Sequence, residues 1–343
     1  MRRILVIRLS ALGDIVMASG LIPALRSRWP DAHIAWLAEP AGASLLQANP
    51  RLDEVIVWPR GEWRRLRAER RYLALARSVR AFAARLRGEG FDLVLDTQGL
   101  LKSGVWARFT GAGERIGLGS REGSERLMTE VLAPPRDDRR IASEYRALAA
   151  HLGADTTRFP MDLALGDDDH AAARSAIAAA GVNGRYVAFA PFTTRPQKHW
   201  FDERWRDLAG RFAAETGATP VVLGGPEDRA VAEALVADSP AISVAGGLSL
   251  RASAAAIAGA EALVGVDTGL THMGTALTVP TVALFGSTRP YLETESPRTR
   301  VLYEPLWCSP CRRRPLCGGE FSCMRLHRPG DVFDVARELM AAA

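Results

Sequence analysis

Residues 262–285 read ALVGVDTGLTHMGTALTVPTVALF. Ala262 to Val266 is an apolar run of buried-strand type, and Asp267-Thr268-Gly269 turns the chain. Leu270 to Leu277 continues as a helix, and Thr281 to Phe285 is a second apolar run. A strand, a helix and a strand in so short a span make a βαβ unit with parallel strands. The turn matters as much as the strands. A helix that opens directly after a buried strand presents free backbone amides at its N-terminus, where an anion such as a pyrophosphate is favoured. His272 lies four residues after Thr268, on the same helix face.

The same alternation extends upstream. Strands are expected at Tyr186–Ala190, Pro220–Leu223 and Ala241–Val244, with helices at Trp205–Thr216, Asp228–Ala237 and Ala252–Ala258. The first half repeats the pattern. Its expected strands are Ile4–Leu9, His33–Leu37, Glu54–Trp58 and Leu93–Asp96. Its expected helices are Ile15–Trp29 (bent near Pro23), Ser44–Asn49, a long arginine-rich Arg64–Glu89, one from Lys102 onward, and Ala142–Leu152. Residues 111–140 read as loop, and 155–169 as the crossing between halves. The expectation is an α/β protein with two doubly wound, Rossmann-like domains, residues 1–165 and 166–328, facing a cleft. A final amphipathic helix lies in 329–343. Ligands of such sheets bind beyond the carboxyl ends of the strands.

Composition narrows the class. The chain has 343 residues, 48% hydrophobic and 24% charged, which excludes a disordered chain, a collagen and a small disulfide scaffold. The 44 basic residues exceed the 39 acidic ones only slightly, which does not suggest a nucleic-acid partner. Just two of the basic residues, Lys102 and Lys198, are lysines. Arg8 and Asp14 interrupt the apolar N-terminus, and the uncharged stretch Thr268–Thr288 is too polar to span a membrane. A cytoplasmic location is expected. There the four cysteines, all between Cys308 and Cys323, would not form structural disulfides.

The loops after the strands hold the candidate chemistry. In Arg8-Leu9-Ser10-Ala11-Leu12-Gly13-Asp14, the aspartate falls in the first turn of a helix, where the dipole favours its charge. Taken alone, this loop holds a helix-capping aspartate. No Gly-x-Gly-x-x-Gly follows the first strand, and Gly111-Ala112-Gly113 and Gly117-Leu118-Gly119 are spaced wrongly for a dinucleotide site. Thr193-Thr194-Arg195 with Lys198-His199-Trp200 combines hydroxyls and cations as a phosphate site does. Glu227, in Gly224-Gly225-Pro226-Glu227-Asp228, is either a ribose-binding carboxylate or an acidic helix start.

Together these residues resemble glycosyltransferase family 9, the ADP-heptose:lipopolysaccharide heptosyltransferases. Arg8–Asp14, Thr193–Trp200 and Asp267-Thr268-Gly269-Leu270-Thr271-His272 carry the resemblance. Asp96–Ser103 and Trp63-Arg64-Arg65 add the pattern of the first heptosyltransferase. The resemblance implies a GT-B architecture with the last helix packing back on the first domain. It implies inverting transfer of L-glycero-D-manno-heptose from ADP-heptose to Kdo of inner-core lipid A, by a monomer peripheral to the inner membrane. Asp14 would be the base. Thr193, Thr194 and Lys198, supported by Thr268 and Gly269, would hold the phosphates. Glu227 would hold the ribose, and Asp267 and His272 would sit near the heptose. No Asp-x-Asp stands at a strand end, so no metal or other cofactor is expected in catalysis.

The basic stretch Arg60–Arg71, with six arginines and two glutamates, reads as a solvated helix face or as a dock for lipid A phosphates. With the resemblance, Arg60, Arg64, Arg65 and Lys102 become acceptor-binding candidates. The tail departs from the first-heptosyltransferase pattern. Cys308-x2-Cys311-x5-Cys317-x5-Cys323, enclosing Arg312-Arg313-Arg314, is similar to the second heptosyltransferases. Its thiols either bind zinc or stay reduced within a loop. The alternatives in function are another family 9 transfer or a GT-B sugar-nucleotide epimerase.

Overall fold

The computed structural model describes residues 1–288, 290–311 and 314–342. Its contacts divide the chain into two compact units. The first comprises Met1–Asp138 and Ala142–Ala164; the second runs from Leu165 onward and includes Arg139–Ile141.

The first unit contains, in order, β1 (Arg3–Ile7), α1 (Leu12–Ala18), α2 (Leu21–Arg28), β2 (His33–Ala38), α3 (Pro40–Leu46) and β3 (Glu54–Val57). It continues with α4 (Arg60–Ala68), α5 (Tyr72–Gly88), β4 (Leu93–Asp96), α6 (Leu101–Phe109), β5 (Glu114–Leu118), β6 (Glu130–Leu132) and α7 (Ser143–His151). Its sheet is parallel throughout, in the order β3-β2-β1-β4-β5-β6. Strand residues alternate between two apolar layers. Ile4, Val6, Ile34, Trp36, Leu93 and Leu95 face one layer; Leu5, Ile7, Ala35, Leu37 and Val94 face the other. A parallel sheet covered on both faces needs such near-continuous apolar strands.

The second unit follows with α8 (Asp167–Ala179), β7 (Tyr186–Ala190), α9 (Asp202–Thr216), β8 (Thr219–Val222), α10 (Arg229–Val236) and β9 (Ile242–Ser243). Then come α11 (Leu250–Ala258), β10 (Leu263–Val266), α12 (Gly269–Ala276), β11 (Thr281–Phe285), β12 (Thr299–Tyr303), α13 (Ser322–Arg325) and α14 (Pro329–Ala341). Its parallel sheet runs β12-β11-β10-β7-β8-β9. Counted within each unit, both sheets have the Rossmann order 3-2-1-4-5-6. The order reverses between β1 and β4 in the first sheet and between β7 and β10 in the second.

Four features differ from the sequence reading. Residues 111–140 are not all loop: β5 and β6 extend the sheet beyond β4, and Gly117 is packed so tightly that a Cβ would meet Ser120 and Met128. The arginine-rich helix is two helices. Arg70 takes a left-handed conformation (φ 56°), and the Arg71 N–H closes back on Leu66 O, a C-terminal cap. The first long helix breaks at Ser19-Gly20, before Pro23. The last helix, expected to pack back on the first domain, packs instead on α9 and β11 of its own unit. Its apolar stripe Val332, Phe333, Ala336 and Leu339 is buried there, with Phe333 edge-on to Phe212.

The glycine at the break is required sterically. A Cβ there would lie 2.4 Å from the Phe159 ring, which is buried in the core. Gly20→Val should destabilise the first unit by roughly 1–3 kcal/mol, the usual cost of overpacking. In a Phe159→Ala background the added penalty should largely vanish. Urea unfolding of the single and double variants measures both, and an undiminished penalty would mean that another contact governs the site.

Candidate active site

In the first unit, the loops after β1 and β4 are tied together. The Gln98 side-chain carbonyl accepts the N–H groups of Leu9 (3.1 Å) and Ser10 (3.0 Å). Arg8 is buried, donates to the Thr97 carbonyl and lies 5.8 Å over the Tyr145 ring. Burial would lower the Arg8 pKa, but the fields of Tyr145, Asp14 and Glu144 prevail and raise it. The guanidinium therefore stays charged, and it pairs with Asp14 Oδ2, which also accepts the Ala11 N–H at 3.3 Å. Asp14 Oδ1 has no hydrogen-bond partner among the described residues, and the side chain is 35% exposed. One oxygen is anchored and the other is available.

Beneath this loop lies Asp96, fully buried at the end of β4. It accepts Ser103 Oγ–H (3.0 Å) and the N–H groups of Gln98 (3.1 Å) and Gly99 (3.2 Å). Burial pushes its pKa up to about 6, although those three bonds and Arg8 work in the other direction.

The acceptor candidates separate into two groups. Arg60 pairs with Glu39 at 2.7 Å, Lys102 approaches the same oxygen at 3.9 Å, and both lie over the Trp58 ring. Burial lowers the Lys102 pKa, as do its neighbours Arg60 and Arg8, against the pull of Glu39 and Glu122. Arg64 and Arg65 are exposed on α4, where Arg65 reaches Glu69 (3.8 Å); neither joins the Glu39 cluster.

In the second unit, the loops after β7, β10 and β11 meet. Lys198 Nζ lies 2.6 Å from Asp267 Oδ2 and 3.4 Å from the Asp267 carbonyl. Thr288 Oγ1 donates to the same carboxylate at 2.6 Å, and His272 Nε2 stands 3.5 Å from Oδ1. The other ring nitrogen of His272 meets Tyr291 Oη at 2.8 Å. Burial alone would raise the Asp267 pKa. His272 and Lys198 overcome it and hold the carboxyl well below the usual range. A carboxylate so saturated fixes its neighbours in place; it does not take up protons. Thr268 is the N-cap of α12, and no acidic residue occupies the first turn, so the amides at Gly269 remain available to an anion.

The Lys198-His199-Trp200 run divides its labour. Lys198 faces Asp267, His199 pins its loop to the Thr193 carbonyl (2.8 Å), and Trp200 is buried against Trp205 and bonds to the His327 carbonyl. Thr193 and Thr194 share the Lys198 loop, with Thr194 exposed. Glu227 is exposed at the end of β8, outside the Asp267 set; its neighbour Asp228 caps the turn by accepting the Gly225 N–H. Glu39, Gln98, Thr288 and Tyr291 were not singled out individually from the sequence. Glu39, Thr288 and Tyr291 follow β2 and β11, so the strand-end rule was the signal that could have found them.

Two Rossmann units in one chain, each with a polar cluster at its strand ends, form the GT-B architecture. Solved structures agree on the fold. A family 9 glycosyl transferase from Veillonella parvula matches all of this chain and 98% of its own at TM-score 0.82 and 22% identity. Escherichia coli heptosyltransferase WaaC with ADP-2-deoxy-2-fluoro heptose matches 98% of this chain and 99% of its own at TM-score 0.71 and 24% identity. The family model "Glycosyltransferase family 9 (heptosyltransferase)" matches residues 79–318. Lipopolysaccharide heptosyltransferase 1 of Pseudomonas aeruginosa is 30% identical over 320 residues, covering 91% of this chain and 86% of that protein. Its Escherichia coli K12 namesake is 27% identical over 299 residues, covering 84% of this chain and 89% of that protein. The chain belongs to glycosyltransferase family 9.

The buried Asp96 gives a pH signature. Its folded pKa lies above the unfolded value, so its contribution to stability is complete below about pH 4 and is lost as pH rises through about 6. Asp96→Asn removes this titration and keeps an oxygen for the two amides. The stability of wild type relative to the variant should therefore fall by about 2–3 kcal/mol between about pH 4 and pH 8. Denaturant unfolding across that range measures it, and a pH-independent difference would show that the carboxyl is not penalised by its burial.

Proposed function

We infer that this glycosyltransferase moves L-glycero-D-manno-heptose from ADP-heptose to a Kdo hydroxyl of inner-core lipopolysaccharide, with inversion at the anomeric carbon. The observation that carries the reading is the Lys198–Asp267 pair at the start of α12, which offers a fixed cation and free amides to a diphosphate. Two relatives, at 30% and 27% identity, are named lipopolysaccharide heptosyltransferase 1, which supports heptose as the sugar and lipopolysaccharide as the acceptor.

The steps follow from the side chains. Asp14 Oδ1 accepts the proton of the attacking hydroxyl as the new C–O bond forms, while Arg8 and the Ala11 amide keep Oδ2 from turning away. The bond from the anomeric carbon to the ADP phosphate breaks on the opposite face. Charge then grows on the leaving diphosphate, where Lys198 and the α12 amides stabilise it more than in the ground state. Thr193 and Thr194 donate to the phosphates, and Glu227 accepts hydrogen bonds from the ribose hydroxyls. Asp267, His272, Thr268 and Gly269 shape the pocket around the heptose and diphosphate. On the acceptor side, Arg60 and Lys102 take anionic groups beside Trp58, and Arg64 and Arg65 take lipid A phosphates at the inner-membrane surface. No helix among the described residues is long and apolar enough to cross a membrane, so the contact we infer is peripheral.

ADP release from ADP-heptose, with and without Kdo-lipid A, tests the reaction. ADP should appear only when the acceptor is present; free sugar formed without acceptor would favour the epimerase alternative. Asp14→Asn should lower kcat by about 10²–10⁴-fold with donor binding retained. Lys198→Met should lower kcat by about 10²–10³-fold. Near-normal turnover in Asp14→Asn would remove the base from that position.

A further inference from the structure

Residues 304–321 connect β12 to α13 and contain neither helix nor strand among the described residues. A connection longer than about 12–15 residues without secondary structure is uncommon in a compact unit and needs something to hold it. Apolar burial holds only its two ends, where Leu306 and Phe321 pack on the core, while Trp307 is 85% exposed and Leu316 is 66% exposed. Of the arginine run inside it, only Arg314 lies within the described residues. This segment and the start of α13 hold all four cysteines of the chain, every one a free thiol.

The two ends of the cysteine set come to one place. Ser309 Oγ donates to the Gly286 carbonyl just past β11 and stands 3.2 Å from Tyr303 Oη. From the other end, Cys323 Sγ packs so closely on Gly286 that a Cβ there would lie 2.6 Å from the sulfur. Ser309, the chain neighbour of Cys308, and Cys323 thus meet at the same residue, with Cys311 and Cys317 between them in the chain. No three of the sulfurs lie within 4.8 Å of one another. The shell is open, and the described part of the loop carries no hydrogen-bonded ladder that fixes the sulfurs apart.

We propose that Cys308, Cys311, Cys317 and Cys323 form a structural site for a thiophilic divalent metal, zinc or ferrous iron, that staples residues 304–321 to the end of β11. Four sulfur donors suit either ion in tetrahedral geometry. Each ligating thiol gives up its proton as the metal enters. A four-thiolate shell leaves no open position for substrate, so the metal holds structure and takes no part in the transfer.

The test uses the full chain, purified under anaerobic conditions. Elemental analysis should find about one metal per chain and tell zinc from iron. After removal of the metal, cobalt(II) should give the visible bands of a tetrahedral site with thiolate charge transfer, and Trp307, beside Cys308, should change its fluorescence. A Cys308→Ser, Cys311→Ser, Cys317→Ser variant should lose all three signals; buried Cys323 is kept so that packing at Gly286 is undisturbed. Metal-free protein that also fails to bind cobalt overturns the proposal, as do disulfide-linked cysteines or cobalt binding equal in wild type and variant. The first two readings come from wild type, so they stand even if the variant does not fold.

Discussion

A parallel sheet built in the order 3-2-1-4-5-6 must send its connections to opposite faces on either side of its first strand. The loops after the first and fourth strands therefore diverge and leave a gap at their carboxyl ends. Each unit has one such place, and each fills it with charge. After β1 and β4 stand Asp14, Arg8, Gln98 and Asp96; after β7 and β10 stand Lys198, Asp267 and His272. Strand order comes first here, because it leaves backbone amides and carbonyls unpaired by the ladder where side chains from distant parts of the chain can meet.

The two places use charge differently. Asp267 is surrounded by Lys198, Thr288 and His272, and its low pKa marks a carboxylate whose valence is spent on its neighbours. Asp14 spends one oxygen and keeps the other. The first arrangement suits holding a cation at a fixed point, as stabilising a leaving anion requires. The second suits receiving a proton. Two aspartates at strand ends of two similar units, one after a first strand and one after a fourth, thus acquire different chemistry from the residues packed around them.

Central strands were legible in the sequence because both faces of a doubly covered sheet are apolar: Ile4–Ile7, Leu93–Leu95 and Leu263–Val266 allow little else. The edges were not. β6 is largely exposed and β9 spans two residues, so their pairing comes from the neighbouring ladder and leaves almost no pattern. The arginine-rich segment carries helical periodicity across Arg70, and nothing in its composition marks the left-handed turn that divides it. At the sites, Asp14, Lys198, Asp267 and His272 stood out because they follow strands. Glu39 and Thr288 act only through the cations and carboxylates they meet, and such partners are set by tertiary neighbours, which spacing does not encode. The destination of the last helix was likewise set by tertiary packing, its stripe Val332, Phe333, Ala336 and Leu339 closing on α9 and β11.

The two lysines bear on the same point. Every other basic residue in the chain is an arginine, yet Lys102 and Lys198 both stand beside carboxylates near the strand ends. A guanidinium would present a planar fork and satisfy a carboxylate with two parallel bonds. The Lys198 ammonium instead reaches the side chain and the main-chain carbonyl of one residue, Asp267, and has a third N–H directed elsewhere. That remaining donor, on a cation already neutralised from one side, is what a diphosphate can recruit without the full cost of bringing an unpaired charge into a largely buried site. An arginine in its place would also keep spare donors, but fixed in the plane of its fork, whereas the ammonium can turn its remaining N–H toward a ligand.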